Sequence, residues 1–166
     1  MKESKSSLAD DADIRILRAV VADGRAPDVV LGERIALSPT AAARRRKLLE
    51  DRGIITGYTA RLDLAQLGYP ISVLVMIELN SQAESVLVEF EQAAVRCPSM
   101  SFCSFVSGET DFVMMISVRS LEDYDRVYRK ELSTLPHVAK IRTSFLLREV
   151  AQRQVAPIVL GESIGD

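Results

Sequence analysis

Residues 28–52 constrain the fold of this chain more than any other stretch of the sequence. Apolar residues recur at helical spacing after Asp28, which we expect to cap a short helix. A further helix is predicted from Pro39 to about Arg52, because Ser38 is a favoured N-cap and proline suits the first helical position. Two short helices joined by a tight turn are typical of a helix-turn-helix.

The flanking residues fit the same motif. An amphipathic helix is predicted from Asp10 to a stop at Gly24, because apolar residues recur there every three or four positions. After Gly53, residues 54–58 are predicted to form a short strand or turn, a rudimentary wing. The N-terminal third is therefore expected to be a winged helix-turn-helix.

The densest basic feature is the tract Arg44–Lys47 on the last of these helices. The net charge of the chain is −2, but residues 1–60 hold 11 Lys/Arg against nine Asp/Glu, and residues 61–166 hold ten against 14. Four consecutive helical residues cannot all face solvent, so some must flank the packed side, where we expect Leu48 and Leu49 to be the apolar anchors. The tract indicates DNA contact rather than a merely solvated face.

Recognition helices usually touch base edges from their N-terminal turns. Base contacts are therefore predicted for Thr40, Ala41 and Arg44, and phosphate contacts for Arg34, Arg45 and Lys47. The predicted DNA-binding residues are Arg34, Ser38, Thr40, Ala41, Arg44, Arg45 and Lys47. The predicted partner is double-stranded DNA.

Beyond Pro70 the apolar pattern changes from helical to mixed. Strands are predicted at 72–79, 100–106, 111–118 and 138–150, and helices at 83–96 and 121–132. The order β-α-β-β-α-β predicts a ferredoxin-like sheet with both helices on one face, so the fold class is α+β.

The chain is thus divided into a DNA-binding domain, a linker, a ferredoxin-like ligand-binding and oligomerisation domain, and a C-terminal tail. The predicted limits are 8–58, 59–70, 71–150 and 151–166. Because the end of the tail is rich in glycine and acidic residues, we expect it to fray after Glu149.

The turn Ser107–Asp111 has two interpretations. A glycine followed by acidic groups between two strands can be a simple hairpin. Alternatively, carboxylates and accessible amides at a sheet end suit a ligand with a free amino group. The residues alone leave both open.

The sequence gives little support for an enzyme, a metal site or a bound cofactor. Cys97 and Cys103 lack metal-ligand spacing, and His137 is the only histidine, in a predicted turn. Residues 1–13 are polar and charged rather than a secretory signal, and the longest apolar run is too short to span a bilayer. We expect a cytoplasmic protein with no membrane partner.

Several short motifs occur together in one order. They are Asp13 with Ile16-Leu17, Asp23-Gly24-Arg25, Leu37-Ser38-Pro39-Thr40, Gly53-Ile54-Ile55-Thr56-Gly57-Tyr58-Thr59-Ala60, Leu67-Gly68-Tyr69, Gly108 with Asp111-Phe112, Arg142-Thr143 and Glu149-Val150. In this order the chain resembles the leucine-responsive/asparagine regulator family (Lrp/AsnC, or feast/famine regulators) from about residue 10 to residue 150.

The resemblance implies a winged helix-turn-helix followed by a β-α-β-β-α-β effector domain. It also implies homodimers that pair through their sheets and often assemble into octamers. An amino acid or related small molecule would bind between dimers, near the loop that matches Gly108–Asp111, and shift assembly or DNA binding. The predicted effector-binding residues are Gly108, Glu109, Thr110, Asp111 and Thr143.

The chain departs from the family pattern at both sites. The family often has an acidic residue, an aromatic residue and then Asp-Tyr after the glycine, whereas this chain has Glu109-Thr110-Asp111-Phe112, and Ser144 replaces a common tyrosine. These changes indicate a different amino acid, or none. In the recognition helix, Arg46 replaces a common apolar residue and Leu48 a common basic one, which predicts a slightly altered rotation of the helix.

Two alternatives belong to other functional classes. One is a ligand-binding oligomer that no longer binds DNA, against which the intact tract Arg44–Lys47 argues. The other is an enzyme on the same scaffold, because the sirohaem decarboxylases resemble this family in both domains. Those enzymes rely on histidines, and this chain has only His137.

Overall fold

The computed structural model of the protein describes residues 10–161 and divides them into two units. The helical unit contains residues 10–61 together with 151–161, and the sheet unit contains residues 62–150. The C-terminal tail therefore belongs with the N-terminal helices, although the sequence alone suggests that it follows the sheet domain as an independent segment.

The helical unit is built on α1 (Asp11–Ala22), α2 (Asp28–Ile35) and α3 (Pro39–Asp51). A reciprocal capping box begins α1, because the Asp10 side chain accepts from the Asp13 amide and the Asp13 side chain from the Asp10 amide. The three helices share one apolar core. Its buried members are Ile16, Ala19, Leu31, Ile35, Ala42 and Leu49.

The turn between α2 and α3 is tight and depends on a glycine. Ala36 adopts a left-handed conformation with φ 56°, and the Leu37 amide donates to the Gly32 carbonyl at 2.9 Å. A Cβ on Gly32 would lie 2.7 Å from the Leu37 carbonyl oxygen, so a side chain there would push the helices apart. The Ser38 Oγ accepts from the Ala41 amide at 3.2 Å, which confirms the predicted N-cap of α3.

The predicted wing is a turn rather than a strand. Residues 54–58 have no strand pairing, and the amides of Ile54 and Ile55 both donate to the Leu49 carbonyl at the end of α3. Tyr58 donates a 2.8 Å hydrogen bond to Glu50, and its ring would lie 3.0 Å from a Cβ on Gly24. The segment therefore folds back onto the helices.

The sheet unit has the predicted β-α-β-β-α-β order. Its elements are β1 (Ile71–Leu79), α4 (Glu84–Ala94), β2 (Met100–Phe105), β3 (Phe112–Val118), α5 (Leu121–Lys130) and β4 (Val138–Phe145). The strand order is β2-β3-β1-β4, and every neighbouring pair is antiparallel. This confirms the ferredoxin-like fold.

The final strand is shorter than predicted. β4 ends at Phe145 instead of Val150, and one further hydrogen bond joins the Leu146 amide to the Ser72 carbonyl at the start of β1. Because β1 begins at Ile71, which lies opposite residue 147 in this register, the last three residues of the predicted strand have no part of β1 to pair with.

The core of the sheet unit lies between one face of the sheet and both helices. Alternate residues of β1 and β3 are buried there with Phe90 of α4 and Val127 of α5. The rings of Phe90 and Phe112 are 4.4 Å apart. This shared core confirms that both helices cover the same face.

The tail does not fray over the residues that the structure describes. Residues 157–160 form a short 3₁₀ helix, Leu160 is buried, and the Arg18 Nε of α1 donates to the Leu160 carbonyl at 2.8 Å. The expectation of a frayed tail is wrong for this segment, because a buried leucine and a hydrogen bond to α1 hold it. Residues 1–9 and 162–166 lie outside the described residues. They include most of the polar start, predicted not to be a secretory signal, and the end of the tail.

Candidate functional sites

The four consecutive basic residues of α3 divide into two inward and two outward side chains. Arg45 donates to the carboxylates of Asp10 and Asp13, in each case at 2.7 Å. Arg46 forms an ion pair with Asp28 at 2.9 Å. These two arginines attach α3 to the starts of α1 and α2, so they stabilise the motif rather than face a partner.

The charge of Arg45 is balanced inside the helical unit. Its hydrogen bonds to Asp10 and Asp13 raise the pKa of the guanidinium, and the Arg45 hydrogen bond lowers the pKa of the Asp10 carboxyl. The predicted phosphate contact of Arg45 does not fit this arrangement, because its Nη1 already donates to two carboxylates that balance its charge.

The ion pair of Arg46 also changes the role of Asp28. The N-cap of α2 is Pro27, with no side-chain hydrogen bond, and Asp28 is the first residue of the helix. The predicted cap is therefore wrong: the carboxylate accepts from Arg46 and still lies near the positive end of the α2 dipole.

The outward face of α3 presents Arg44. It is exposed, and it has no ion pair or hydrogen bond with any other residue that the structure describes. Lys47 is also exposed but pairs with Asp51 at 2.8 Å, and this hydrogen bond raises the pKa of the Lys47 ammonium. Leu48 is 50% exposed, so it is not the predicted anchor; Leu49 is fully buried instead.

The other predicted DNA-binding residues lie around the first turn of α3. Thr40 is exposed and Ala41 is half-buried, whereas the Ser38 hydroxyl serves as the N-cap. Arg34 is exposed in the last turn of α2 and, within residues 10–161, has no side-chain partner. Arg34 and Arg44 are thus two guanidinium groups of this motif that remain available for an external anion.

In the sheet unit the loop between β2 and β3 contains the predicted effector residues. Asp111 is buried, and its carboxylate accepts from the Leu79 amide at 2.7 Å and from the Gln82 Nε2 at 2.9 Å. These bonds attach the loop to the end of β1. The predicted contact of Asp111 with a ligand ammonium group does not fit, because the carboxylate is already occupied.

The exposed part of this loop is Ser107 to Glu109, and Thr110 is half-buried. Gly108 has φ 126°, a conformation that L side chains rarely adopt, and the space where its Cβ would lie is open. The Glu109 side chain is 92% exposed and lies 3.8 Å from the Arg142 guanidinium, which also binds Glu78 at 3.1 Å. The loop therefore places a carboxylate and a guanidinium side by side at the surface.

Thr143 is not part of this cluster. It pairs with Val75, a core residue of β1, and its Oγ1 shares a 2.6 Å hydrogen bond with the Tyr124 hydroxyl of α5. Neighbouring residues on a strand point to opposite faces, so Arg142 points away from the helices, towards Glu109. Sequence reasoning missed Arg142, although strand alternation next to Thr143 was the signal that could have found it.

A cavity of about 550 Å³ lies elsewhere in the sheet unit, between the turn at Leu64–Tyr69 and α5. Three of its four charged side chains have partners within the protein, and the exception, among the residues that the structure describes, is Lys130. Asp123 is bound by Arg119, whose hydrogen bond holds the pKa of the carboxyl well below its usual range, and Glu131 accepts from Ser99. These contacts position α5.

The sequence analysis considered His137, Cys97 and Cys103 for catalysis or metal binding. His137 is hydrogen-bonded to Glu89 at 2.7 Å, and burial raises the pKa of the Cys97 and Cys103 thiols. Within residues 10–161 no three potential ligand side chains form a metal-binding group. In the same range, none of the helices has the length and hydropathy needed to cross a bilayer.

A helix-turn-helix with an outward basic face, joined to a ferredoxin-like sheet domain, defines a class of two-domain DNA-binding regulators. Residues 10–50 match the AsnC-type helix-turn-helix domain, and residues 72–156 match the Lrp/AsnC ligand binding domain. The chain belongs to the Lrp/AsnC family of transcriptional regulators.

The chain is similar to known transcriptional regulators over most of their length. The Bkd operon transcriptional regulator of Pseudomonas aeruginosa is 34% identical, with 90% of this chain and 97% of that protein covered. The leucine-responsive regulatory protein of Escherichia coli is 35% identical, with 86% and 87% covered.

Two solved structures have the same fold. A transcriptional regulator of Neisseria meningitidis, in complex with L-Met, superposes with a TM-score of 0.85 at 28% identity and covers 92% of this chain and 97% of its own. Escherichia coli AsnC shares the fold with a TM-score of 0.77 at 21% identity, with 90% of this chain and 99% of that chain covered.

Proposed function

We propose that this regulator binds the DNA major groove with the outward face of α3 and that an amino acid at the β2–β3 loop changes its assembly or DNA affinity. The observation that carries the proposal is the division of the basic tract. Arg45 and Arg46 hold α3 in place, and Arg44 remains exposed with no partner in the described residues.

In this arrangement Arg44 reads base edges, with Thr40 and Ala41 beside it in the first turns of α3. An arginine can donate two hydrogen bonds to guanine O6 and N7, a pairing that contributes about 1–3 kcal/mol of discrimination. Arg34 and Lys47 contact phosphates and fix the register. Arg45 is not proposed to contact phosphate; it positions α3 through its ion pairs with Asp10 and Asp13.

The effector site is proposed around Gly108, Glu109, Thr110 and Arg142. An amino acid carries one ammonium and one carboxylate, and the Glu109 carboxylate lies 3.8 Å from the Arg142 guanidinium. The exposed loop amides would add donors for the ligand carboxylate. The Neisseria meningitidis relative in complex with L-Met supports an amino-acid effector as the class of ligand.

Assembly of several copies is part of the proposal. Phe102 is 52% exposed on β2, and Leu147 and Val150, after β4, are 96% and 87% exposed. Apolar side chains of this size suit contacts between copies of the chain, in a homodimer and in the octamer expected for the family. A cytoplasmic regulator without enzymatic activity agrees with the named relatives, which are transcriptional regulators.

The DNA-binding half is tested with a labelled duplex from the region upstream of the gene. We expect fluorescence anisotropy to show binding that weakens steeply between about 50 and 200 mM salt, because counterions are released from the phosphates. Absence of salt-sensitive binding to this duplex and to a pool of random duplexes would contradict the proposal.

The effector half is tested by thermal unfolding of the full-length protein in the presence of each standard amino acid. A ligand that binds only the native state at 100 times its Kd stabilises it by about 2.7 kcal/mol. We expect at least one amino acid to raise the Tm, and Glu109→Gln to abolish that rise. An unchanged rise in this variant would place the site elsewhere.

A further inference from the structure

The outward face of α3 contains one large apolar side chain among its polar ones. Thr40, Arg44 and Leu48 follow each other at intervals of four residues, so they lie within about 80° of one another around the helix. Leu48 is 50% exposed, in the third turn of α3. It therefore shares the surface that presents Arg44.

The outward position of Leu48 is fixed by contacts on the other side of the helix. Ala42 and Leu49 are fully buried in the core of the helical unit. Arg45 and Arg46 bind carboxylates on α1 and α2, which prevents α3 from rotating to bury another residue. Leu48 cannot join the core unless these ion pairs break.

An apolar side chain can recognise one group in the major groove, the C5 methyl of thymine. We propose that Leu48 packs against this methyl and so determines part of the DNA sequence that the regulator prefers. This inference rests on the proposed DNA-binding function and names the base that the same helix face selects. The guanine contact of Arg44 and the thymine contact of Leu48 would form one recognition unit.

The helix geometry predicts the spacing of that unit. Four residues advance an α-helix by about 6 Å, and successive base pairs are about 3.4 Å apart. The thymine read by Leu48 is therefore expected about two base pairs from the guanine read by Arg44. The thymine can lie on either strand, because both strands expose their base edges in the major groove.

The test begins with selection of preferred sites from a random duplex pool by the full-length protein. In the selected site each thymine is then replaced, one at a time, by deoxyuridine, which lacks only the C5 methyl. We expect one replacement, about two base pairs from an essential guanine, to weaken binding about fourfold, the effect of one buried methyl group.

Variants assign this effect to the side chain. Leu48→Ala should weaken binding to the thymine site about fourfold and should no longer distinguish thymine from deoxyuridine. Leu48→Met should retain the discrimination. The matched control is Val21→Ala, because Val21 is an aliphatic residue of α1 that is 46% exposed. Thermal unfolding of all variants checks that they fold.

The outcomes separate the two claims. If the wild-type protein binds every deoxyuridine duplex as tightly as the thymine duplex, or if Leu48→Ala keeps the full discrimination, the thymine contact is wrong while DNA binding stands. If no sequence is enriched and no salt-sensitive binding is found, the proposed function fails and the inference fails with it.

Discussion

The outward face of α3 and the loop between β2 and β3 contain the two groups of charged residues that the sequence suggests as sites. In α3 the candidate Arg44 is exposed and unpaired among the described residues, and its neighbour Arg45 is bound by two carboxylates. The loop shows the same division between an exposed and an internally bound residue. Asp111 is buried with two hydrogen bonds, and Glu109 is 92% exposed.

The comparison shows that adjacent residues of the same charge can have opposite roles. A buried or partly buried charged side chain that internal groups already satisfy is less available to an external partner than an exposed one, and the internal partners can come from distant parts of the chain. Asp13 lies 32 residues from Arg45, and Leu79 lies 32 residues from Asp111. Four predictions test this division between exposed residues that can bind partners and internally bound residues that stabilise the fold.

The largest effect is expected from Asp111→Ala in the loop. The change removes two hydrogen bonds and leaves the buried Leu79 amide without its acceptor, which should destabilise the sheet unit by about 3 kcal/mol. Urea unfolding measures this, and Glu109→Ala is the matched control, with no expected loss. If Asp111→Ala instead leaves stability unchanged and abolishes effector binding, Asp111 is a ligand-binding residue and the comparison is reversed.

The next effect is expected from Arg44→Ala in α3. Loss of a guanine contact should weaken binding to the selected DNA site by about 2 kcal/mol, or roughly thirtyfold, with little change in stability. Anisotropy titration measures the affinity. Arg15→Ala, which removes an exposed arginine from α1, serves as the control; equal losses in both variants would mean that Arg44 contributes only general charge.

A smaller effect is expected where the tail joins the helical unit. Leu160→Ala removes a buried side chain that is 8% exposed and should lower stability by about 1.5 kcal/mol, less than for a central leucine because a terminal segment can adjust. Thermal unfolding measures this against Ile158→Ala, a neighbour that is 77% exposed. Equal Tm values for the two variants would show that the tail does not stabilise the helices.

The smallest effect concerns acid stability through Arg45. The pKa of Asp10 is lowered from 3.8 in the folded state, so its stabilising contribution is present above pH 3.8 and is lost as the pH falls through the lower folded-state pKa. In Arg45→Gln we expect the fall of Tm below about pH 4 to be shallower than in the wild type. Arg44→Gln should keep the wild-type slope; the same flattening in both variants would show that Arg45 has no special role.

Local signals in the sequence were sufficient for most of the fold. Ser38 and Pro39 begin α3 as predicted, because capping depends on groups only three residues apart. The order of strands and helices predicted the sheet and its covered face, and alternate residues of β1 and β3 are buried on that face. The end of β4 could not be predicted, because pairing stops where the neighbouring strand begins.

For the sites, the sequence by itself determined where basic residues and the glycine loop fall along the chain, and the family to which they point. The tertiary structure decided which of them remain available. Arg45, Arg46 and Asp111 are bound by residues far away in the sequence, whereas Arg44 and Glu109 stay exposed and Arg142 joins the loop across the sheet. The physical reason is that hydrogen-bond partners and burial are properties of the packed chain, which no local pattern contains.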